Sequence, residues 1–133
     1  MMFSVATMAA ALLLGLALAA PTTSNTRDTR FTGTFIWYNV GTGACGLAET
    51  NSDHVVALST SVFDPHTPDG NPNHNDLCGK KIRASYGGKR VDLKITDRCK
   101  HCVDHDIDLS KSDLEVFADD GVGELHGGTW EYI

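Results

Sequence analysis

Beyond residue 20 the 133-residue chain has no apolar run long enough to span a bilayer, no internal repeat, no low-complexity tract and no Asn-x-Ser/Thr sequon. These absences argue against a multispanning membrane protein, a solenoid and N-linked glycosylation. Positive charge is also scarce. Its 11 Lys and Arg stand against 17 Asp and Glu, a formal net charge of −6, so no general affinity for nucleic acid or an anionic membrane surface is expected. No glycine-rich stretch opens a helix in the manner of a nucleotide-binding loop, and no flavin or other cofactor is expected.

What the chain has at its start is an uncharged apolar stretch, Met1 to Ala20, ending in small residues, with Ala17 and Ala19 at the cleavage positions of a secretory signal peptide. A membrane anchor is the competing reading, but no basic stop-transfer cluster follows. Residues 1–19 are assigned to the signal, 20–30 to a flexible polar leader, and 31–133 to one domain of an extracellular protein with no membrane attachment after processing. Its core is modest. Four cysteines in such a chain most simply form two disulfides, each restricting the unfolded ensemble by about 2–4 kcal/mol, and the count alone allows three pairings. Eight of the eleven basic residues fall between Lys80 and Lys100. They read first as a solvated hairpin face and second as a patch for acidic polysaccharide.

Phe31 to Tyr38 alternates as a strand, with Phe31, Gly33, Phe35 and Trp37 on one face. Gly41, Gly43 and Gly46 surround Cys45 in a turn-rich stretch. Val55 to Leu58 is a short buried strand, and Ser59 to Phe63 one helical turn. Asp64 to Asp76 carries three of the four prolines and is a candidate wall of a binding site. Lys80 to Tyr86 and Lys89 to Asp97 alternate on either side of Gly87-Gly88, the signature of a primed-turn hairpin. Ser110 caps a helix over Lys111 to Ala118, with Asp113 in its first turn and Leu109 and Leu114 spaced as a hydrophobic staple. Thr129 to Ile133 is the last strand.

The chemistry concentrates between Val91 and Ser110. A strand-like alternation delivers Asp97 at its end, the turn Cys99-Lys100-His101-Cys102 follows, and a second short alternation presents Asp106 and Asp108 on one face. The C-x-x-C turn admits a zinc site with His101 and His105 as spare donors, or a thiol oxidoreductase. Secretion and an otherwise paired cysteine count favour a disulfide, and no amphipathic helix follows the turn as redox catalysis would need. No metal is expected.

Three pieces in order resemble the double-psi β-barrel superfamily of expansins, barwin, rare lipoprotein A and glycoside hydrolase family 45. They are Trp37-Tyr38 with Gly43-Ala44-Cys45-Gly46, then Thr96-Asp97-Arg98-Cys99, then Asp106-Ile107-Asp108-Leu109-Ser110 opening a helix. Asn71-Pro72-Asn73 and Cys78-Gly79-Lys80-Lys81-Ile82 extend the likeness to single-domain fungal expansin-like proteins called loosenins. The resemblance implies a mainly β fold, a closed six-stranded barrel with one or two short helices, disulfides Cys45–Cys78 and Cys99–Cys102, and an open groove for cell-wall polysaccharide such as cellulose or chitin. It places Asp108 where the hydrolases keep their general acid, Asp97 at the groove Asp, Tyr38 at a stacking Tyr and Asp106 at a family His. Trp37 is a further stacking candidate, with core packing beside Phe31 and Phe35 as the alternative.

The departures bear on activity. Glycosidic cleavage with inversion needs an acid and a base flanking the bond, about 6.5–9.5 Å apart. Asp106 and Asp108 project from one face, and where family 45 keeps its base near strand one this chain has Asn39, Val40 and Gly41, none able to take a proton. Ser59 falls about where rare lipoprotein A has a His, which weakens lytic cleavage too. The expected function is a secreted, monomeric, non-enzymatic protein that binds cell-wall glycan and loosens it without hydrolysis. The competing reading is a protein-binding module. Some bacterial double-psi barrels of this size inhibit papain-like cysteine proteases, and the Asp64 to Asp76 loop suits insertion into a cleft.

Overall fold

The computed structural model describes residues 10–12, 14–20 and 29–133; the signal and leader assignments fall in large part on residues outside that set. Six strands are formed: β1 (Phe31–Trp37), β2 (Val55–Ser59), β3 (Lys81–Tyr86), β4 (Lys89–Cys99), β5 (Ile107–Leu109) and β6 (Glu124–Tyr132). They close in the order β1-β5-β2-β4-β3-β6, with β1–β5 and β2–β4 parallel and the other neighbours antiparallel. Closure leaves no unpaired sheet edge. Two short helices, α1 (Thr60–Phe63) and α2 (Lys111–Phe117), and two 3-10 turns at Asp64–His66 and Pro72–His74 complete the fold. Among the described residues no helix is long and apolar enough to cross a membrane.

Alternate residues fill the barrel. Phe35, Leu58, Ile82, Leu93, Ile107 and Trp130 are all buried in one cluster, each contributing about 1.5–3 kcal/mol by leaving water. β2 lies between β4 and β5 and is covered on both faces. Val56 and Leu58 join the barrel core, while Ala57 lies in a second cluster with Cys99, Cys102 and Tyr38. Gly87 and Gly88 take positive φ of 56° and 78° and close the β3–β4 hairpin, as a primed turn requires. The Ser110 hydroxyl accepts from the Asp113 amide at 3.1 Å and starts α2.

Both disulfides form as the resemblance implies, Cys45–Cys78 and Cys99–Cys102. Two boundaries differ from the sequence reading by more than one residue. β4 runs on to Cys99, and β6 begins at Glu124, five residues before Thr129. Gly127-Gly128 hides that first half, because Gly128 has no side chain to alternate and packs its backbone beneath the Phe35 ring. Trp37 shares the parity of Phe35 yet is 39% exposed, so it does not join the core.

Candidate functional site

Leu93 and Ile95 point into the barrel, and strict alternation would send Asp97 and Cys99 after them. Instead the β2–β4 register slips by one residue between Val56 and Ala57, and a one-residue slip exchanges the two faces. Asp97 then pairs with Ala57 of β2, and Ala57 pairs with Asp108 of β5. Partners across a ladder share a face, so Asp97, Ala57 and Asp108 form a row on the outer wall. Two strand spacings separate the aspartate Cα atoms by about 10 Å. Ala57 leaves a recess in the middle. Tyr38, whose N–H donates to the Leu109 carbonyl at 2.9 Å, packs there against Ala57 and the Cys99–Cys102 bridge.

Burial first, and then the charges of Asp97 and Asp108, hold the Tyr38 hydroxyl well above its ordinary range, while a bond with the Thr96 side chain opposes them. Asp108 is 2% exposed. Its carboxyl is also raised, mainly by desolvation, with Asp97 and Asp106 adding and His101 opposing. The His101 Nε2 lies 3.3 Å from Oδ1 and 3.2 Å from Oδ2 of Asp108, and the imidazole is itself 63% exposed. The surface above Asp108 is therefore an imidazole.

The other two aspartates are engaged with backbone. Asp97 Oδ1 accepts from the Ala44 amide at 2.8 Å and the Arg98 amide at 2.7 Å, holding the Gly43–Cys45 loop against β4. Asp106 Oδ1 accepts from the Thr34 amide at 2.8 Å, and its Oδ2 lies 3.4 Å from the Val103 amide, tying the turn after β4 to β1. β5 begins only at Ile107, so Asp106 does not share a strand face with Asp108. Trp37 faces a different place, an open depression of about 660 Å³ lined by Asn39, Asn51, Ser52, Lys111, Ser112 and Glu115.

Sequence reasoning missed three participants. In the sequence His101 reads only as a metal donor, and its pairing with Asp108 depends on how the C-x-x-C turn folds back. Thr96 was legible as the neighbour of Asp97 but not as a partner of Tyr38. Glu49 acts on Tyr38 from a loop whose path no pattern marks, and it is paired with Lys94 at 2.6 Å. His105 is turned away and stacks on Phe31 at 4.6 Å. In the basic stretch Arg83 pairs with Asp92, and Arg98 with Asp64. Chemically, the row offers one shielded acid at Asp108 and, at its far end, a carboxylate already bonded to two amides.

No protein-family profile matches the chain. It is 32% identical over 107 residues to the papain inhibitor of Streptomyces mobaraensis, across 78% of this chain and 72% of the relative. It is 30% identical over 119 residues to the allergen Asp f 7 homolog of Arthroderma benhamiae, across 77% of this chain and only 38% of that protein's length. Among solved structures, a Streptomyces papain inhibitor superposes with a TM-score of 0.70 at 28% identity, over 80% of this chain and 96% of that one. The apo expansin of Clavibacter michiganensis superposes with a TM-score of 0.61 at 18% identity, over 78% of this chain and 50% of that one, and a mutant of it solved with cellohexaose gives the same values. These neighbours are double-psi β-barrel proteins, and the six-stranded closed barrel seen here is that fold.

Proposed function

Since the chain belongs to the family of the Streptomyces mobaraensis papain inhibitor, within the expansin-like barrel superfamily, we propose that it is an extracellular, non-catalytic binding module whose ligand is an extended cell-wall polysaccharide. The observation that carries this reading is the Asp97–Ala57–Asp108 row with Tyr38 set across it. A partly exposed aromatic ring beside Asp97, with Asp108 reached once the exposed His101 imidazole swings aside, offers a face for a sugar ring and acceptors for its hydroxyls. A chain held there exchanges hydrogen bonds with its neighbours in the solid for bonds to protein, which loosens packing without cutting. Cleavage is disfavoured because Asp97 is engaged with two amides and sits on the same wall as Asp108, so the pair does not flank a bond.

A second reading, inhibition of a papain-like cysteine protease, is favoured by the family and by the turn at residues 101–104. Val103 is 65% exposed at its tip, with the Cys99–Cys102 bridge behind it. The Asp104 carbonyl accepts from the hydroxyls of Ser59 and Ser61, and Asp104 itself holds a φ of 48°. A loop already fixed loses little entropy on entering a cleft. Pull-down on cellulose and chitin beside a papain inhibition assay separates the readings. Glycan retention that Tyr38→Ala abolishes, with papain untouched, supports the first. Papain inhibition that Val103→Asp abolishes, with no retention on either glycan, overturns it.

A further inference from the structure

Four donors converge beside the Tyr38 recess. Ligand atoms of Cys99, His101, Cys102 and Asp108 all lie within 4.8 Å of one another. Cys99 and Cys102 are joined to each other, so neither sulfur is a thiolate. Two of the remaining separations, His101 to Asp108 and Cys102 to Asp108, nevertheless match a tetrahedral zinc site. Zinc bonds of about 2.3 Å to sulfur and about 2.0–2.1 Å to nitrogen or oxygen place N and O donors about 3.3 Å apart and S and O donors about 3.5 Å apart. His101 Nε2 lies 3.2 and 3.3 Å from the Asp108 oxygens, and Cys102 Sγ lies 3.7 Å from Asp108 Oδ1. The two bonded sulfurs must part to about 3.8 Å to ligate together. Their C-x-x-C spacing is the one zinc turns use.

We propose that the Cys99–Cys102 disulfide masks a zinc site that opens on reduction, with Cys99, Cys102, His101 and Asp108 as its ligands. A two-electron reductant of the dithiol or phosphine class cleaves the S–S bond and is itself oxidised. Two thiols form, and zinc binding displaces their two protons to solvent. Asp108 then gains a cation in place of a largely desolvated position beside a single imidazole. Tyr38, packed against the cluster of Ala57, Cys99 and Cys102, shields the metal on one side, and exposed His101 leaves the way in. His105, stacked on Phe31, is not a ligand.

Cobalt(II) titration of the whole secreted chain tests this. The oxidised protein should show no thiolate-to-cobalt charge transfer. After reduction, one equivalent should give that band with tetrahedral d–d absorption, bleached by zinc. His101→Ala and Asp108→Asn should each weaken binding by at least about 100-fold, the upper end for loss of a merely supporting partner. Cys99→Ala needs no reductant and leaves Cys45–Cys78 intact, so it decides the matter even should full reduction unfold the chain. It should bind one cobalt through Cys102, His101 and Asp108, and the double change with His101→Ala should abolish this. Absence of the band from Cys99→Ala, affinity unmoved by His101→Ala and Asp108→Asn, or binding that persists with both Cys99 and Cys102 changed to Ser overturns the proposal.

Discussion

Replacing Gly43 with alanine should drive the Gly43–Cys45 loop off the wall that carries Asp97. A Cβ at this position would lie 2.4 Å from the Thr96 carbonyl oxygen and 2.8 Å from Asp97 Cβ. The backbone oxygen belongs to β4 and cannot step aside, so the loop must lift. Two hydrogen bonds then stretch, from the Ala44 amide to Asp97 Oδ1 at 2.8 Å and from the Cys45 amide to the Thr96 carbonyl at 3.1 Å. The bond to a charged acceptor contributes about 1.5–3 kcal/mol and the neutral one about 0.5–1.5 kcal/mol, so the loss is about 2–4.5 kcal/mol. For a domain of this size that lowers the melting temperature by about 8–20 °C. Gly41→Ala is the control, since a Cβ there meets nothing within 4 Å and its φ is outside the left-handed region; its change should stay within about 0.5 kcal/mol. Thermal denaturation by circular dichroism reads both. A Gly43→Ala midpoint indistinguishable from that of Gly41→Ala would refute the reasoning.

Gly128→Ala would put a Cβ 2.4 Å from Phe35 Cζ, and because that ring is fully buried the overpacking should destabilise by about 1–3 kcal/mol in urea, with part of the loss recovered by Phe35→Leu in the same chain. Ser110→Ala removes the α2 cap and the partner of Asp113 Oδ2 at 3.0 Å, leaving Asp113 with His54 at 2.6 Å; urea unfolding should show a loss of about 1–2 kcal/mol. For Asp108 the folded-state pKa is raised, so its ionisation destabilises the fold progressively as pH climbs through the carboxylate range up to that folded value. Asp108→Asn should therefore raise the melting temperature near neutral pH and lose its advantage below the ordinary carboxylate range, and a deficit constant across pH would contradict the assignment.

The barrel was legible where alternation runs unbroken. β1, β3 and most of β4 read directly from apolar residues at every second position, and the Gly87-Gly88 hairpin is local chemistry. Two features were not legible, for different reasons. The first half of β6 lacks side chains at Gly127, which holds a φ of 80°, and at Gly128, where the Phe35 ring from β1 supplies the bulk that the position omits. The outward turn of Asp97 arises from a register slip between β2 and β4, strands far apart in the chain, and no periodicity within either reports it. The row of Asp97, Ala57 and Asp108 is thus a product of pairing between distant segments, although each aspartate stood out in the sequence as a residue worth naming.

What an aspartate does depends on which donor reaches it first, and here the donors differ for three acids that look alike in the chain. Amides of Ala44 and Arg98 take Asp97, the amide of Thr34 takes Asp106, and an imidazole covers Asp108. A glycan approaching the wall meets His101 and Tyr38 before any free carboxylate, so contact with Asp108 requires His101 to swing out. His101→Ala removes that cover at little packing cost, since the ring is mostly exposed. Retention on cellulose or chitin should then rise, and Asp108→Asn in the same chain should cancel the rise. Retention that instead falls with His101→Ala, and is unaffected by Asp108→Asn, would make the imidazole the contact and reduce Asp108 to the group that positions it.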